Sequence, residues 1–155
     1  MNKMTVHLMS VELETGSSLY PTSVWGSICV RIGESCFPDE QWDDVVSSIL
    51  DMWISEFCDF LTQSRKKCTL YFMDGPYWIA LRRKQKGEVI AVLTDDIHRR
   101  RLELSNMDVE AFAESLLASA RAFVEICSAN LKEFTSNPSY LRIRDGIDRL
   151  DHGLI

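Results

Sequence analysis

Three apolar, strand-like runs crowd between residues 67 and 95, and that crowding constrains the fold more than any other feature of the chain. Lys67–Gly75, residues 77–84 and residues 88–95 read as three strands joined by short turns. Asp74-Gly75 reads as a two-residue hairpin turn, because both central positions of a type I′ turn need positive φ. Pro76 cannot donate a ladder hydrogen bond and should open the next strand in a non-bonded position. Lys86-Gly87 supplies a second, weaker hairpin signal. Turns this tight force antiparallel neighbours. Val89-Ile90-Ala91-Val92-Leu93 is apolar on both faces and belongs in the sheet interior, while Arg101–Leu104 can add an edge.

Upstream, residues 5–13 predict a strand followed by a loop at Gly16-Ser17-Ser18. Residues 23–33 predict a second, with Val24, Gly26, Ile28, Val30 and Ile32 on one face and Trp25, Ser27, Cys29 and Arg31 on the other. Gly33 ends it and Pro38 marks a turn. From Asp39 to Leu61 the apolar period becomes 3.6, which predicts a long amphipathic helix. Asp39, Glu40, Asp43 and Asp44 would favour its positive end, and Arg65, Lys66 and Lys67 would follow its negative end. Its polar face, Glu40, Asp44, Asp51, Ser55 and Asp59, is acidic and reads as solvent-exposed. A second long helix spans about 107–134 with Ser105 as its N-cap, and Tyr140–Leu150 predicts a short third one after Ser136-Asn137-Pro138-Ser139.

The expected order is therefore β-β-α-β-β-β-(β)-α-α. This is an α+β fold: one antiparallel sheet of about five or six strands packed on two long amphipathic helices. A chain of 155 residues suits a single domain, 1–155, with frayed ends at 1–4 and 151–155. No apolar run reaches the roughly 20 residues that cross a bilayer, and the N-terminus lacks a signal-peptide pattern, so a cytoplasmic protein with no membrane partner is expected.

Cys29, Cys36, Cys58, Cys68 and Cys127 form no CxxC pair, and an odd number suits a disulfide framework badly; they read as reduced structural thiols. His7, His98 and His152 lie at no metal-ligand spacing, so no metal and no cofactor is expected. GxSxG, P-loop, GxGxxG and HExxH patterns are absent. Asp96 and His98 could share a side of an extended segment as a base and its orienting carboxylate, although three adjacent arginines offer simpler partners. Charge is segregated: residues 65–101 carry ten basic side chains against four acidic ones, whereas residues 1–64 carry two against ten.

Strand parity singles out a further set. With Val24, Ile28, Val30, Leu70, Phe72, Ile79 and Leu81 turned inward, Trp25, Arg31, Tyr71, Trp78 and Arg82 turn outward. These residue types are enriched in binding hot spots. Basic strands bearing aromatics also suit single-stranded nucleic acid, but the RNP1 pattern is missing and the flanking helices are acidic, which disfavours that partner.

Trp25-Gly26-Ser27-Ile28-Cys29-Val30-Arg31-Ile32-Gly33, then Phe37-Pro38 leading to Trp42 and Trp53, then Leu70-Tyr71-Phe72-Met73-Asp74-Gly75-Pro76-Tyr77 form an organisation over residues 23–95. It resembles that of the small cytoplasmic immunity proteins of bacterial polymorphic-toxin and contact-dependent inhibition systems. The resemblance implies a non-enzymatic protein that binds and neutralises a cognate toxin. It carries over no contact residues, because such contacts are specific to each pair. Many toxins of this class are nucleases with basic surfaces, which the acidic residues Glu40, Asp44, Asp51 and Asp59 would complement. The alternative expectation is a small-molecule-binding or enzymatic domain with a pocket between sheet and helices. A third is a self-associating subunit.

Overall fold

The computed structural model describes residues 1–12, 23–62 and 64–154, and the architecture is α+β. The strands form two four-stranded antiparallel sheets instead of one larger sheet. In the first, β1 (Thr5–Val11) pairs with β2 (Gly26–Ile32). The chain then turns through Gly33, at φ +59°, into β3 (Ser35–Phe37). A two-residue β4 (Asp43–Asp44) also pairs with β2. The second sheet runs in chain order: β5 (Lys67–Tyr71), β6 (Tyr77–Arg83), β7 (Val89–Asp95) and β8 (Arg100–Leu104). Each sheet is built from sequence neighbours, and α1 (Val46–Leu61) is inserted between them in the chain. Parity tells which face a strand buries but not whether strands flanking a helix belong together. Leu13, the end of the expected first strand, and the expected Gly16–Ser18 loop lie outside the described residues.

The helix expected from Asp39 begins only at Val46. Trp42 and Val45 fit the helical spacing, yet their backbone is held elsewhere. The Ile28 N–H donates to the Trp42 carbonyl (3.0 Å), and Asp43 and Asp44 face Ser27 and Gly26. Asp44 is fully buried. Its carboxylate accepts from Trp42 Nε1 (2.9 Å), the Val45 N–H (2.6 Å) and the Met73 N–H (3.0 Å). One side chain thus fastens β4, the entry to α1 and the β5–β6 loop together.

No acidic residue stands in the first turn of α1 and no basic residue in its last, contrary to the expected dipole pairing. Its ends are satisfied from other elements. Ser47 exchanges two bonds with Val24, donating its N–H to the Val24 carbonyl (3.2 Å) and accepting the Val24 N–H at Oγ (2.9 Å). At the other end Arg83, on β6, donates from Nη2 to the Phe60 carbonyl (3.0 Å) while its guanidinium stacks 4.7 Å from the Phe60 ring centroid.

The expected Asp74-Gly75 two-residue turn is a wider loop, Met73–Pro76. It is closed by the Phe72 N–H donating to the Tyr77 carbonyl (3.0 Å), because the Met73 N–H is drawn away to Asp44. Lys86-Gly87 does turn the chain, with Gly87 at φ +82° and the Lys84 N–H donating to the Glu88 carbonyl (2.8 Å).

α2 (Val109–Asn130) starts after Asp108, whose carboxylate accepts the Ala111 N–H (3.0 Å), and not after Ser105. The segment before it is held extended: Met107 N–H donates to Val89, Asp108 N–H donates to Asn2, and Asn2 bridges to Met107. The first residues are therefore tied down and not frayed, and Met4 is fully buried. α2 also seals the free edge of β1. Ser115 Oγ accepts the Val6 N–H (2.8 Å) and Ser119 Oγ donates to the Val6 carbonyl (3.4 Å), one helical turn apart.

A short 3-10 turn (Lys132–Ser136) leads to α3 (Pro138–Gly153), longer than expected and capped by Asn137, whose side chain accepts the Ser139 N–H (2.8 Å). α3 packs on α1 and α2. It approaches α1 closely at Gly146, where an added Cβ would lie 2.5 Å from Ile54 Cγ2. The helix runs to Gly153, and the partly buried Leu154 after it packs against the core, so this end is not frayed through Leu154.

The core is one cluster in which the sheets meet through aromatic edges. Phe37 contacts Phe72 (5.7 Å) and Tyr77 (6.1 Å), and Trp42 contacts Tyr77 (4.9 Å). Asp44→Ala would leave the Val45 and Met73 N–H groups without an acceptor in the interior. It is expected to cost about 3 kcal/mol, read as a lower urea midpoint at unchanged slope.

Candidate binding surface

The second sheet has two unlike faces. Cys68, Leu70, Ile79, Leu81, Ala91 and Leu93 are buried on the inner one. The outer face is open to solvent and follows the register of the ladder. One row crosses all four strands as Tyr71, Trp78, Thr94 and Arg101, and the next as Thr69, Ala80, Val92 and Glu103. Lys67 and Arg82 form the start of a third. These residues, Tyr71 excepted, border a shallow depression of about 490 Å³. Tyr71 is 49% exposed, and its ring centroid lies 6.3 Å from that of Trp78, tilted by 46°. The Trp53 indole N–H holds the Tyr71 carbonyl from the core side (2.8 Å), so the aromatic pair stands on a fixed backbone. Lys67, Arg82 and Arg101 have no ion-pair partner among the described residues.

The outward residues read from the sequence thus divide in two. Tyr71, Trp78 and Arg82 share this face. Trp25 and Arg31 lie with the first sheet, Trp25 half-buried and Arg31 exposed. Arg31 borders a polar hollow with Glu40 and helps hold His7 below its ordinary pKa, after burial of that ring.

The acidic set does not form one helical face. Glu40 and Asp44 precede α1, and Asp44 is inaccessible to any partner. Asp51 receives a bidentate pair from Arg142 (Nε–Oδ1 3.0 Å, Nη2–Oδ2 2.7 Å), and Asp59 is held by Arg149 (2.7 Å). The solvent-exposed reading of Asp51 and Asp59 is corrected accordingly: α3 brings arginines onto them, and sequence spacing within α1 carries no sign of that.

His98 pairs with Asp95, not Asp96, because residues 96–99 form a turn and are not extended. Asp95 accepts the His98 backbone N–H (3.0 Å) and lies 2.8 Å from its Nδ1, with Arg100 at 3.9 Å. Burial pushes the Asp95 carboxyl up, but the bonds from His98 and the charges of His98 and Arg100 outweigh it and leave it below its ordinary 3.8. The dyad braces a hairpin in which Arg99 adopts φ +52°. Beside it opens a cleft of about 440 Å³ between the two sheets, walled by Phe37, Pro38, Leu93 and Leu102 and edged by Arg100 and Arg101. This cleft lies between the two sheets, whereas the alternative expectation placed a pocket between sheet and helices.

Sequence reasoning missed Thr94, Val92 and Arg101 as members of the face. The run Arg99-Arg100-Arg101 was the available signal, but only Arg100 approaches an aspartate. No group of three metal-ligating side chains occurs among the described residues. No described helix is long and apolar enough to cross a membrane. Comparison with known protein families, with curated proteins and with solved structures yields no match for the chain.

Two measurements follow from this geometry. The Asp95 carboxyl should titrate below 3.8 by NMR. Because its folded pKa is depressed, the stabilisation of the hairpin is present above the ordinary carboxylate range and lost as pH falls through the lowered value; His98→Ala should move the midpoint upward. Cys29, Cys58, Cys68 and Cys127 are buried, with Cys29, Cys68 and Cys127 pushed up to about 12 chiefly by burial, whereas Cys36 is half-buried. A thiol reagent at neutral pH should label Cys36 alone in the folded protein, and Cys36→Ser should abolish the fast reaction.

Proposed function

We propose that the protein is a non-enzymatic binding module that docks a protein partner on the open face of its second sheet and neutralises it, as the immunity proteins it resembles do. The observation that carries this reading is the pair of an exposed Tyr71 and a half-buried Trp78, set on a rigid ladder beside the unpaired cations Lys67, Arg82 and Arg101. Tyrosine, tryptophan and arginine dominate interface energetics because they bury much area at little conformational cost and can end in a hydrogen bond or charge. Four of the other titratable groups singled out by the sequence already have structural employment: Asp44 holds three donors, Asp51 and Asp59 pair with α3, and His98 closes a turn.

The cleft between the sheets favours a second reading, a site for a small apolar ligand with an anionic end. A stoichiometric small molecule seen in native mass spectra of the purified protein would support that reading over the first.

The test is co-expression with the product of the adjoining gene. A toxin–inhibitor pair should yield a stable complex and relieve growth inhibition. Trp78→Ala and Tyr71→Ala should each weaken the complex by about tenfold or more while leaving the melting temperature of the free protein nearly unchanged. Failure to form any complex, or a complex indifferent to both changes, would count against this face.

A further inference from the structure

We infer that the partner meets this protein with an acidic segment that also carries apolar side chains, and that the segment straddles the edge strand β8. The inference rests on the binding reading above and adds the chemistry of what is bound. Arg101 borders both the depression on the outer face and the cleft between the sheets, so the two hollows adjoin at β8. Leu102, its neighbour on that strand, points the other way and walls the cleft while remaining 49% exposed. Ile97, at the tip of the β7–β8 hairpin, is 59% exposed. Two of the large apolar side chains most exposed to water thus stand on or beside β8, and a third, Tyr71, stands on the far edge strand of the same sheet.

Charge supplies the sign of the partner. Lys67, Arg82, Arg99 and Arg101 have no ion-pair partner among the described residues; Lys67, Arg82 and Arg101 line the depression with one carboxylate, Glu103, and Arg99 stands in the turn that leads into β8. The braced turn at Asp95 and His98 fixes where the arginine run projects. The carboxylates of α1 that would attract a basic partner are engaged by Arg142 and Arg149. A basic surface would be repelled at β8, whereas an acidic one gains the unpaired Arg99 and Arg101 and two adjoining hollows partly walled by apolar side chains.

The probes are three labelled ligands read by fluorescence anisotropy: a short peptide alternating glutamate with leucine and phenylalanine, the same peptide with lysine for glutamate, and oligothymidylate of about a dozen nucleotides. The acidic peptide should bind, weaken markedly between ~50 and ~300 mM salt, and lose about tenfold in affinity on Arg99→Glu with Arg101→Glu. Leu102→Asp, judged folded by circular dichroism, should weaken it as well. The inference is overturned if the lysine peptide binds as tightly, if none of the peptides binds, or if charge reversal changes nothing. Tighter binding of the oligonucleotide would also overturn it and make the face a nucleic-acid platform. A toxin complex that forms but ignores Arg99→Glu and Arg101→Glu would remove the acidic-segment inference while leaving the binding reading standing. Peptide binding without any toxin complex would do the opposite.

Discussion

A carboxylate with no access to water holds the two halves of this molecule in register. Asp44 has four lone-pair directions in an apolar surrounding, and three of them meet donors from three places in the chain: the Trp42 indole, the Val45 backbone and the Met73 backbone. Met73 belongs to the loop of the second sheet, whereas Asp44 belongs to a strand of the first. The Phe37, Trp42, Phe72 and Tyr77 rings interlock around that link. Rings alone could slide, since dispersion is not directional; the carboxylate supplies the direction.

The same economy governs the ends and edges. Helix ends and sheet edges leave donors and acceptors exposed, and each one buried without a partner is costly. Here serines and an arginine from distant segments supply the missing bonds. Ser47 serves Val24, Ser115 and Ser119 serve Val6, and Arg83 serves the end of α1. The β1 edge is closed in this way, while β8 keeps its side chains in solvent on the far side of the molecule's second sheet.

These features mark the boundary of what the sequence could tell. Period and parity found residues that face inward on β2, β5 and β6, because burial of alternating side chains is a local property of a strand, but they turned Cys29 outward, and it is fully buried. They also placed Tyr71, Trp78 and Arg82 on one outer face. They misread Asp39–Asp44 as helix, since Trp42 and Val45 fall at helical spacing and only the long-range pairing with Gly26 and Ser27 shows otherwise. The single-sheet expectation failed for the same reason. So did the acidic helix face, which lost its meaning once α3, ninety residues on in the sequence, laid Arg142 and Arg149 across it.

That last contact reverses the electrostatic reading of the whole protein. The chain carries a formal net charge of −6. Judged by this sum, it should attract cations. A partner at contact distance, however, feels the charges within about a Debye length, roughly 8–10 Å, and not the total. Where Asp51 and Asp59 of α1 are paired and Arg101 on β8 stands unpaired beside Lys67 and Arg82, the local field opposes the global one. The open sheet adds apolar area at the place where that field is positive. Affinity and orientation then come from the same few strands, and the helices serve to hold those strands in place.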